Sequence, residues 1–456
     1  MNKKGAVHFI AIGGIGMSAL AKILLSMGYE VSGSDMQESA VIEKLREQGA
    51  VISIGHDAEN VPAHCGEIVY SSAIREDNPE MLRGRELGIP IIHRGELLAR
   101  LFNEGRGIAV AGAHGKTTTS SMTALIYHME KLEPNIVLGG ILPAIDGNAL
   151  KGDSDIWVVE ADESDGSFLK LLPYRTIITN IEPEHMNYYR TEENLENSFY
   201  RFASQSEELI LCLDDRRTRE LAEKLDGRFC SYGLEHRAVD LTVKNLRQQG
   251  LGSDAEVWFR GEKVADLHLS VPGIHNVSNA LAAMYAAYLS GVPFERSAKD
   301  LEAFRGTGRR FEILYEKDDL VIVDDYAHHP TEVKATIKAA KDGGFKRVVA
   351  VFQPHRYSRV QELYKEFGES FGDADVVIID DIYSAWEDKI EGISSLMIVD
   401  EIKKHGIEPL YFGDKEKMLN YLLDEKQPGD IFLLMGAGNI RKTSEKLRDI
   451  LLGETK

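Results

Sequence analysis

Ile108-Ala109-Val110-Ala111-Gly112-Ala113-His114-Gly115-Lys116-Thr117-Thr118-Thr119 reads as an apolar strand, a glycine-rich turn and the start of a helix running to Met129. Such a turn aims backbone N–H groups at a phosphate chain, sets the lysine ammonium on the β and γ phosphates, and offers the first threonine hydroxyl to Mg²⁺. Gly112, Ala113, His114, Gly115, Lys116, Thr117 and Thr118 are therefore candidate ATP-binding residues, although Val110 stands where the full pattern has glycine. A strand feeding straight into a phosphate-binding helix belongs to an α/β fold with a mostly parallel sheet.

The same alternation continues outward. Towards the N-terminus, strands are expected at Val7 to Ile12, Glu30 to Ser34 and Glu67 to Ser72, with helices at Met17 to Met27, Ser39 to Gln48 and Pro79 to Leu87. The first of these turns, Gly13-Gly14-Ile15-Gly16-Met17-Ser18-Ala19, matches a diphosphate-binding fingerprint, and Asp35 ends the next strand, where a carboxylate accepts ribose hydroxyls. Gly14, Ile15, Gly16, Met17 and Asp35 are the candidates; the turn suits NAD or another diphosphate equally. Further strands are expected at Ile156 to Glu160, Arg175 to Asn180 and Glu208 to Leu213, then a β-rich stretch from Phe229 to Leu269 and a helix from about His275. The third section places strands at Leu320 to Asp324, Arg347 to Phe352, Ala374 to Ile379 and Asp430 to Leu434. Linker-like composition at Asn103 to Gly107 and Phe304 to Arg310 divides the chain into three α/β domains, 1–104, 105–305 and 306–456.

The chain has 456 residues, long enough for several cores, and a formal net charge of −20, which argues against bulk attraction to nucleic acid or anionic lipid. No stretch approaches the roughly 18 apolar residues of a membrane-spanning helix, and the N-terminus reads as a strand instead of a signal peptide. Three cysteines without a C-x-x-C pair suggest reduced thiols and a cytoplasmic protein.

Carboxylates and histidines gather at the strand ends. Glu160 closes Ile156-Trp157-Val158-Val159 beside the phosphate turn, the position for a hard-oxygen ligand to Mg²⁺. His185, in Glu182-Pro183-Glu184-His185, follows another strand. Two later clusters, Asp324 to Glu332 and Gln353 to Arg359, follow strands in the same way; Arg356 and Arg359 offer fork-shaped charge to a phosphate or carboxylate, whereas Pro330-Thr331-Glu332 also reads simply as a helix start.

Nine separated segments, among them SSAIREDNP at Ser71 to Pro79, EADESDGSF at Glu160 to Phe168, PGIHNVSNA at Pro272 to Ala280 and GRRFE at Gly308 to Glu312, resemble the Mur ligase family of peptidoglycan synthesis. The likeness is nearest to its L-alanine-adding members. It implies two Rossmann-like domains flanking a central ATPase domain, with the C-terminal domain closing over the centre. It further implies ATP-driven joining of L-alanine to the carboxylate of UDP-N-acetylmuramate through an acyl phosphate. The cofactors implied are ATP and Mg²⁺, the partners small molecules without nucleic acid or membrane, and the assembly a monomer or homodimer.

Carried over by resemblance, Lys116, His185, His328 and Arg356 are the catalytic set. Thr117, Glu160 and His185 hold metal, Asn276 and Asn279 contact adenine, and Arg309 reaches ATP. Ser71 and Ser72 join the first glycine turn on uridine diphosphate, and Tyr326, His328, His355, Arg356 and Arg359 line the amino-acid and acyl-phosphate side. Glu184 stands where the family has Asp, and Trp386 where it has Gly. A recycling ligase that attaches a preformed tripeptide is the nearest rival; Ser164 and His355 to Arg359 favour the alanine type. A nicotinamide oxidoreductase leaves Gly115-Lys116-Thr117 without a use.

Overall fold

Short runs of Val, Ile and Ala buried on both faces pack in parallel sheets covered by helices, and the computed structural model, which describes residues 4–225, 229–236, 238–385 and 387–453, contains three such sheets. The first comprises β1 (Lys4–Ile10), β2 (Tyr29–Asp35), β3 (Val51–Ile54), β4 (Glu67–Tyr70) and β5 (Ile91–His93), in the order β3-β2-β1-β4-β5 and parallel throughout. From β1 the chain builds outward one way and then returns to the other side, so the crevice between β1 and β4 is a topological switch point. The glycine turn Gly13 to Gly16 leaves β1, and Ser71 and Ser72 leave β4, at that crevice.

In the second sheet, β6 (Arg106–Ala111), β7 (Asn135–Leu142), β8 (Gly147–Leu150), β9 (Ile156–Glu160), β10 (Arg175–Ile178), β11 (Glu208–Cys212) and β12 (Cys230–Tyr232) are ordered β12-β11-β10-β6-β9-β7-β8. Beyond β12 come β13 (Leu241–Gln249), β14 (Gly252–Phe259) and β15 (Glu262–Leu269). Strand β6 pairs in parallel with both β9 and β10, and only the β7–β8 pair among these first seven strands is antiparallel. The third sheet orders β16 (Glu312–Lys317), β17 (Leu320–Asp325), β18 (Arg347–Phe352), β19 (Val376–Asp380), β20 (Leu410–Phe412) and β21 (Asp430–Met435) as β16-β17-β21-β18-β19-β20, with β16 alone antiparallel.

The chain folds into two compact units: Met1–Val243, Val257–Ala265 and Ser278–Leu301, and then Lys244–Glu256, Asp266–Val277 and Glu302–Lys456. In the first unit a continuous core joins Phe9, Leu20 and Leu97 to Phe102, Ala109, Val159 and Phe168. In the second, one core on a face of the third sheet is centred on Val323, Phe352, Ile379 and Leu433. The expected strands form with ends shifted by a few residues; β3, β5, β8 and β20, of three or four residues, carry almost no periodicity and fall outside the expected set, as do the longer β7 and β16. The cysteines are free thiols.

A buried polar network fixes the first sheet. Glu80, fully buried, accepts hydrogen bonds from Ser34 Oγ at 2.7 Å, Asn60 Nδ2 at 3.0 Å and the Asp57 N–H at 3.2 Å, and its Oε2 lies 3.0 Å from His8 Nε2. His8 in turn meets Ser32 Oγ at 2.8 Å. Burial alone would raise the Glu80 carboxyl, but the bonds from His8, Asn60 and Ser34 hold it below its ordinary value. A carboxylate held low stabilises the fold above its unfolded value, and that contribution disappears as pH falls through the folded one. Glu80→Gln is therefore expected to cost about 1–3 kcal/mol at neutral pH. In differential scanning calorimetry the gap between wild type and variant in the first transition should be full at pH 7 and should shrink as pH falls below the ordinary glutamate value of 4.5.

Candidate active site

The phosphate turn is held open by its neighbours before any ligand arrives. Gly115, at φ 81°, caps the helix Lys116–Met129. The His114 carbonyl accepts from Thr179 Oγ1 at 2.6 Å and Asn180 Nδ2 at 2.9 Å, while the His114 N–H donates to Asn180 Oδ1 at 2.9 Å. Gly112 has φ 138°, and a Cβ there would lie 2.1 Å from Thr179 Oγ1, so only glycine lets β6 turn against the β10 loop. Lys116 Nζ folds back on this turn, donating to the carbonyls of Gly112 at 2.6 Å and Ala113 at 3.0 Å and to Glu163 Oε1 at 2.8 Å. Burial alone would lower the ammonium, but Glu163, Glu184 and Glu160 hold it well above the ordinary lysine value, so it stays charged. Asn279 Oδ1 accepts from Thr119 Oγ1 at 3.1 Å, on the helix that the turn opens. Asn276 is engaged elsewhere, donating to the Pro272 carbonyl at 2.7 Å.

Strands β9 and β10 flank β6, which delivers their carboxylates to the lysine. Glu160 Oε2 accepts the Gly139 N–H at 3.1 Å, and a Cβ on Gly139 would stand 2.4 Å from that oxygen. Glu160 and the buried Thr117 supply hard oxygen donors, which fits Mg²⁺. The third expected ligand lies in a different grouping: His185, at φ 58°, shares a cluster with Glu163 and Glu184 whose ligand atoms lie within 4.8 Å of one another. Glu163 carries no sequence signal that separates it from its acidic neighbours, and Glu184, a departure from the family pattern, is a full member of this cluster. Burial, with Asp162 beside it, pushes the Glu163 carboxyl up to about 7 despite Lys116.

On the first glycine turn, Asp35 Oδ2 accepts the Gly13 N–H at 2.9 Å and Oδ1 the Gln37 N–H at 3.3 Å, so this carboxylate braces the turn. Met17 is buried in the core, which leaves its backbone as the only part able to face a diphosphate, whereas Ile15 is exposed. Ser72 Oγ lies 2.9 Å from His93 Nε2 and donates to Asp165 Oδ2 at 2.8 Å. Arg94, which belongs to no sequence motif, pairs through its guanidinium with Asp162 at 2.5 Å and lies against Gly16. Burial would raise the Asp162 carboxyl, but Arg94 holds it far below its usual range.

In the second unit the loops after β17, β18 and β21 adjoin at one sheet edge. His328 Nδ1 lies 2.9 Å from the Tyr326 carbonyl, and Glu332 accepts the N–H groups of His328 and His329 to start the helix Pro330–Asp342, as Pro330-Thr331-Glu332 suggested. His355 stacks on Tyr383 with centroids 5.8 Å apart and accepts at Nδ1 from Arg359 at 3.1 Å, which puts its proton on Nε2. Burial, with His328, Arg359, Arg356 and Arg309, pushes this imidazole down to about 3. Arg356 is exposed and, at φ 70°, caps the helix Tyr357–Gly368. Arg309 covers the Tyr326 ring at 4.7 Å and donates to the Gly436 carbonyl at 2.7 Å. Gln353, buried, donates from Nε2 to Asp380 Oδ2 at 2.9 Å and Asn439 Oδ1 at 2.8 Å, and its Oε1 accepts the Ile440 N–H at 3.1 Å. Trp386 lies outside the described residues.

Comparison with known proteins matches three family models in sequence: Mur ligase family, catalytic domain (residues 6–106), Mur ligase middle domain (110–287) and Mur ligase, glutamate ligase domain (309–438). The chain is 48% identical to a UDP-N-acetylmuramate–L-alanine ligase of Pelotomaculum thermopropionicum over 96% of both chains. It is 46% identical to one of Carboxydothermus hydrogenoformans over 98% of this chain and 97% of that one. A UDP-N-acetylmuramate-alanine ligase structure from Thermotoga maritima superposes with TM-score 0.85 at 29% identity, covering 99% of this chain and 100% of that one. The chain belongs to the Mur ligase family.

Gly139→Ala drives a methyl into the carboxylate that faces the turn. Mn²⁺ affinity, read by electron paramagnetic resonance in the presence of ADP, should fall roughly 10–100-fold, the range for disturbing a metal ligand's support, while ADP affinity in EDTA stays near wild type.

Proposed function

We propose that this chain is an ATP-dependent ligase that forms an amide bond between L-alanine and the carboxylate of UDP-N-acetylmuramate, in the cytoplasmic synthesis of peptidoglycan precursors. The observation that carries the reading is the likeness, over nearly the whole chain, to ligases named for that reaction. The phosphate turn and its charged lysine, intact in this chain, support it.

A carboxylate is a poor acylating agent, so the reaction needs an activated intermediate. A carboxylate oxygen of the sugar nucleotide attacks the γ-phosphorus of ATP, the bond to the bridging oxygen breaks, and ADP leaves. The alanine amine then attacks the acyl carbon of the acyl phosphate, losing a proton as phosphate departs. Positioning and charge stabilisation dominate such transfers. In this assignment the backbone of Gly112 to Thr118 cradles the phosphates, and Lys116 follows the transferring phosphoryl group. Asn276 and Asn279 serve the adenine, and Arg309 the ATP.

Thr117 and Glu160 would hold one Mg²⁺ and His185 would hold or adjoin a second, their charge offsetting that of the phosphate oxygens. Gly14, Ile15, Gly16 and Met17 present N–H groups to the uridine diphosphate, with Asp35 bracing the turn and Ser71 and Ser72 opposite. His355, kept neutral, donates from Nε2, while Tyr326, His328, Arg356 and Arg359 complete the amino-acid and acyl-phosphate side. Residues 1–104, 105–305 and 306–456 are the corresponding functional domains, in a monomer or homodimer. Among the described residues no helix is long and apolar enough to cross a membrane.

The test is phosphate release from ATP, Mg²⁺ and UDP-N-acetylmuramate with L-alanine, glycine, L-serine or the tripeptide L-Ala-D-Glu-meso-diaminopimelate. L-alanine should lead, and Lys116→Ala should lower kcat at least about 100-fold, in line with loss of a charge stabiliser. Release with the tripeptide alone would make the chain a recycling ligase instead.

A further inference from the structure

The Lys116 side chain is 15% exposed and largely desolvated, and a charge in such a place needs a partner of opposite sign or well-aimed dipoles. With nucleotide present, the phosphates supply that partner. In this structure the ammonium is spent on the Gly112 and Ala113 carbonyls and on Glu163 Oε1. Glu163 is neither the strand-end carboxylate, which is Glu160, nor part of the phosphate turn. Its side chain is only 2% exposed.

Two features show that Glu163 is built for this contact. Its backbone is pinned, because its carbonyl accepts from the Tyr189 hydroxyl at 2.6 Å and from the Gly166 N–H at 3.0 Å. Its second oxygen, Oε2, is buried and has no hydrogen-bond partner among the described residues. A carboxylate desolvated on one oxygen and bonded to lysine on the other is costly unless that pairing is the point. From the β10 loop His185, with Nε2 at 3.7 Å from Oε1, and Glu184, which shares the same cluster, also approach it.

We propose that Glu163 is a positioning residue that stands in for the nucleotide phosphates, holding Lys116 folded along the turn until they displace it. The inference rests on the ATP reading of the turn. Nucleotide binding then exchanges one ion pair for another, so Lys116 contributes less net affinity than an unpaired lysine would. A purely structural Glu163 would make every substitution weaken binding; a placeholder makes its removal strengthen it.

The experiment is isothermal titration of ADP in EDTA at pH 8 for wild type, Glu163→Gln, Lys116→Met and the double variant, with folding checked by circular dichroism. Glu163→Gln should tighten ADP roughly tenfold when Lys116 is present, the worth of one charged hydrogen bond, and by less than about twofold in the Lys116→Met background. Glu163→Asp, which keeps the charge but shortens the reach, should give a smaller gain of the same sign and carries the test if the glutamine variant does not fold. Unchanged or weaker ADP binding would overturn the proposal, as would equal tightening with and without Lys116, which is bulk repulsion. Failure of the wild type to bind ADP at all would instead remove the ATP reading, and the inference with it.

Discussion

A half-buried ammonium at the mouth of a parallel sheet constrains everything placed around it. Lys116 is stable there only because three oxygens approach it, two from the turn that carries it and one from Glu163. The carbonyls are available because Gly112 adopts a backbone that other residues resist, and the turn keeps its shape because Thr179 and Asn180 bond the His114 peptide. Each of these demands traces back to strand order. Strand β6 lies between β9 and β10, so the loops after those strands are the ones within reach of the lysine.

The same logic recurs in the other two sheets, with different chemistry at the edge. The crevice between β1 and β4 brings a glycine turn close to Ser71 and Ser72, and Arg94 adds a cation that no acidic average would suggest. In the third sheet β21 is inserted between β17 and β18, so the loops bearing Tyr326, His355 and Gly436 become neighbours although far apart in the chain. There Arg309, Arg356 and Arg359 around His355 thus set local basic character inside a protein of net charge −20.

The sequence made the scaffold readable where pattern and chemistry coincide. An apolar run ending in Gly115-Lys116-Thr117 has few other uses, and the alternation around it implied parallel sheets with their strands nearly in place. What stayed hidden depends on direction and distance. Glu160-Ala161-Asp162-Glu163-Ser164-Asp165 leaves the strand at once, so no periodicity says which carboxylate turns inward; the bonds from Tyr189 and Gly166 decide in favour of Glu163. Arg94 belongs to no motif and meets Asp162 only because the two lie at facing strand ends. Met17, by contrast, sat within a legible motif yet spends its side chain on the core, and Asp35 spends its carboxylate on Gly13.

The Gln353 side chain carries a consequence of its own. Its amide nitrogen faces two acceptors, Asp380 and Asn439, while its amide oxygen faces a donor, the Ile440 N–H. Those partners read the amide's polarity, and only one of its two orientations satisfies all three. Glutamate, nearly the same size and one base change away, would present oxygen where nitrogen is required and set a second charge beside Asp380. The site is therefore a lock on chemical identity rather than on shape, and over evolutionary time the three loops it joins are free to drift only in company with one another.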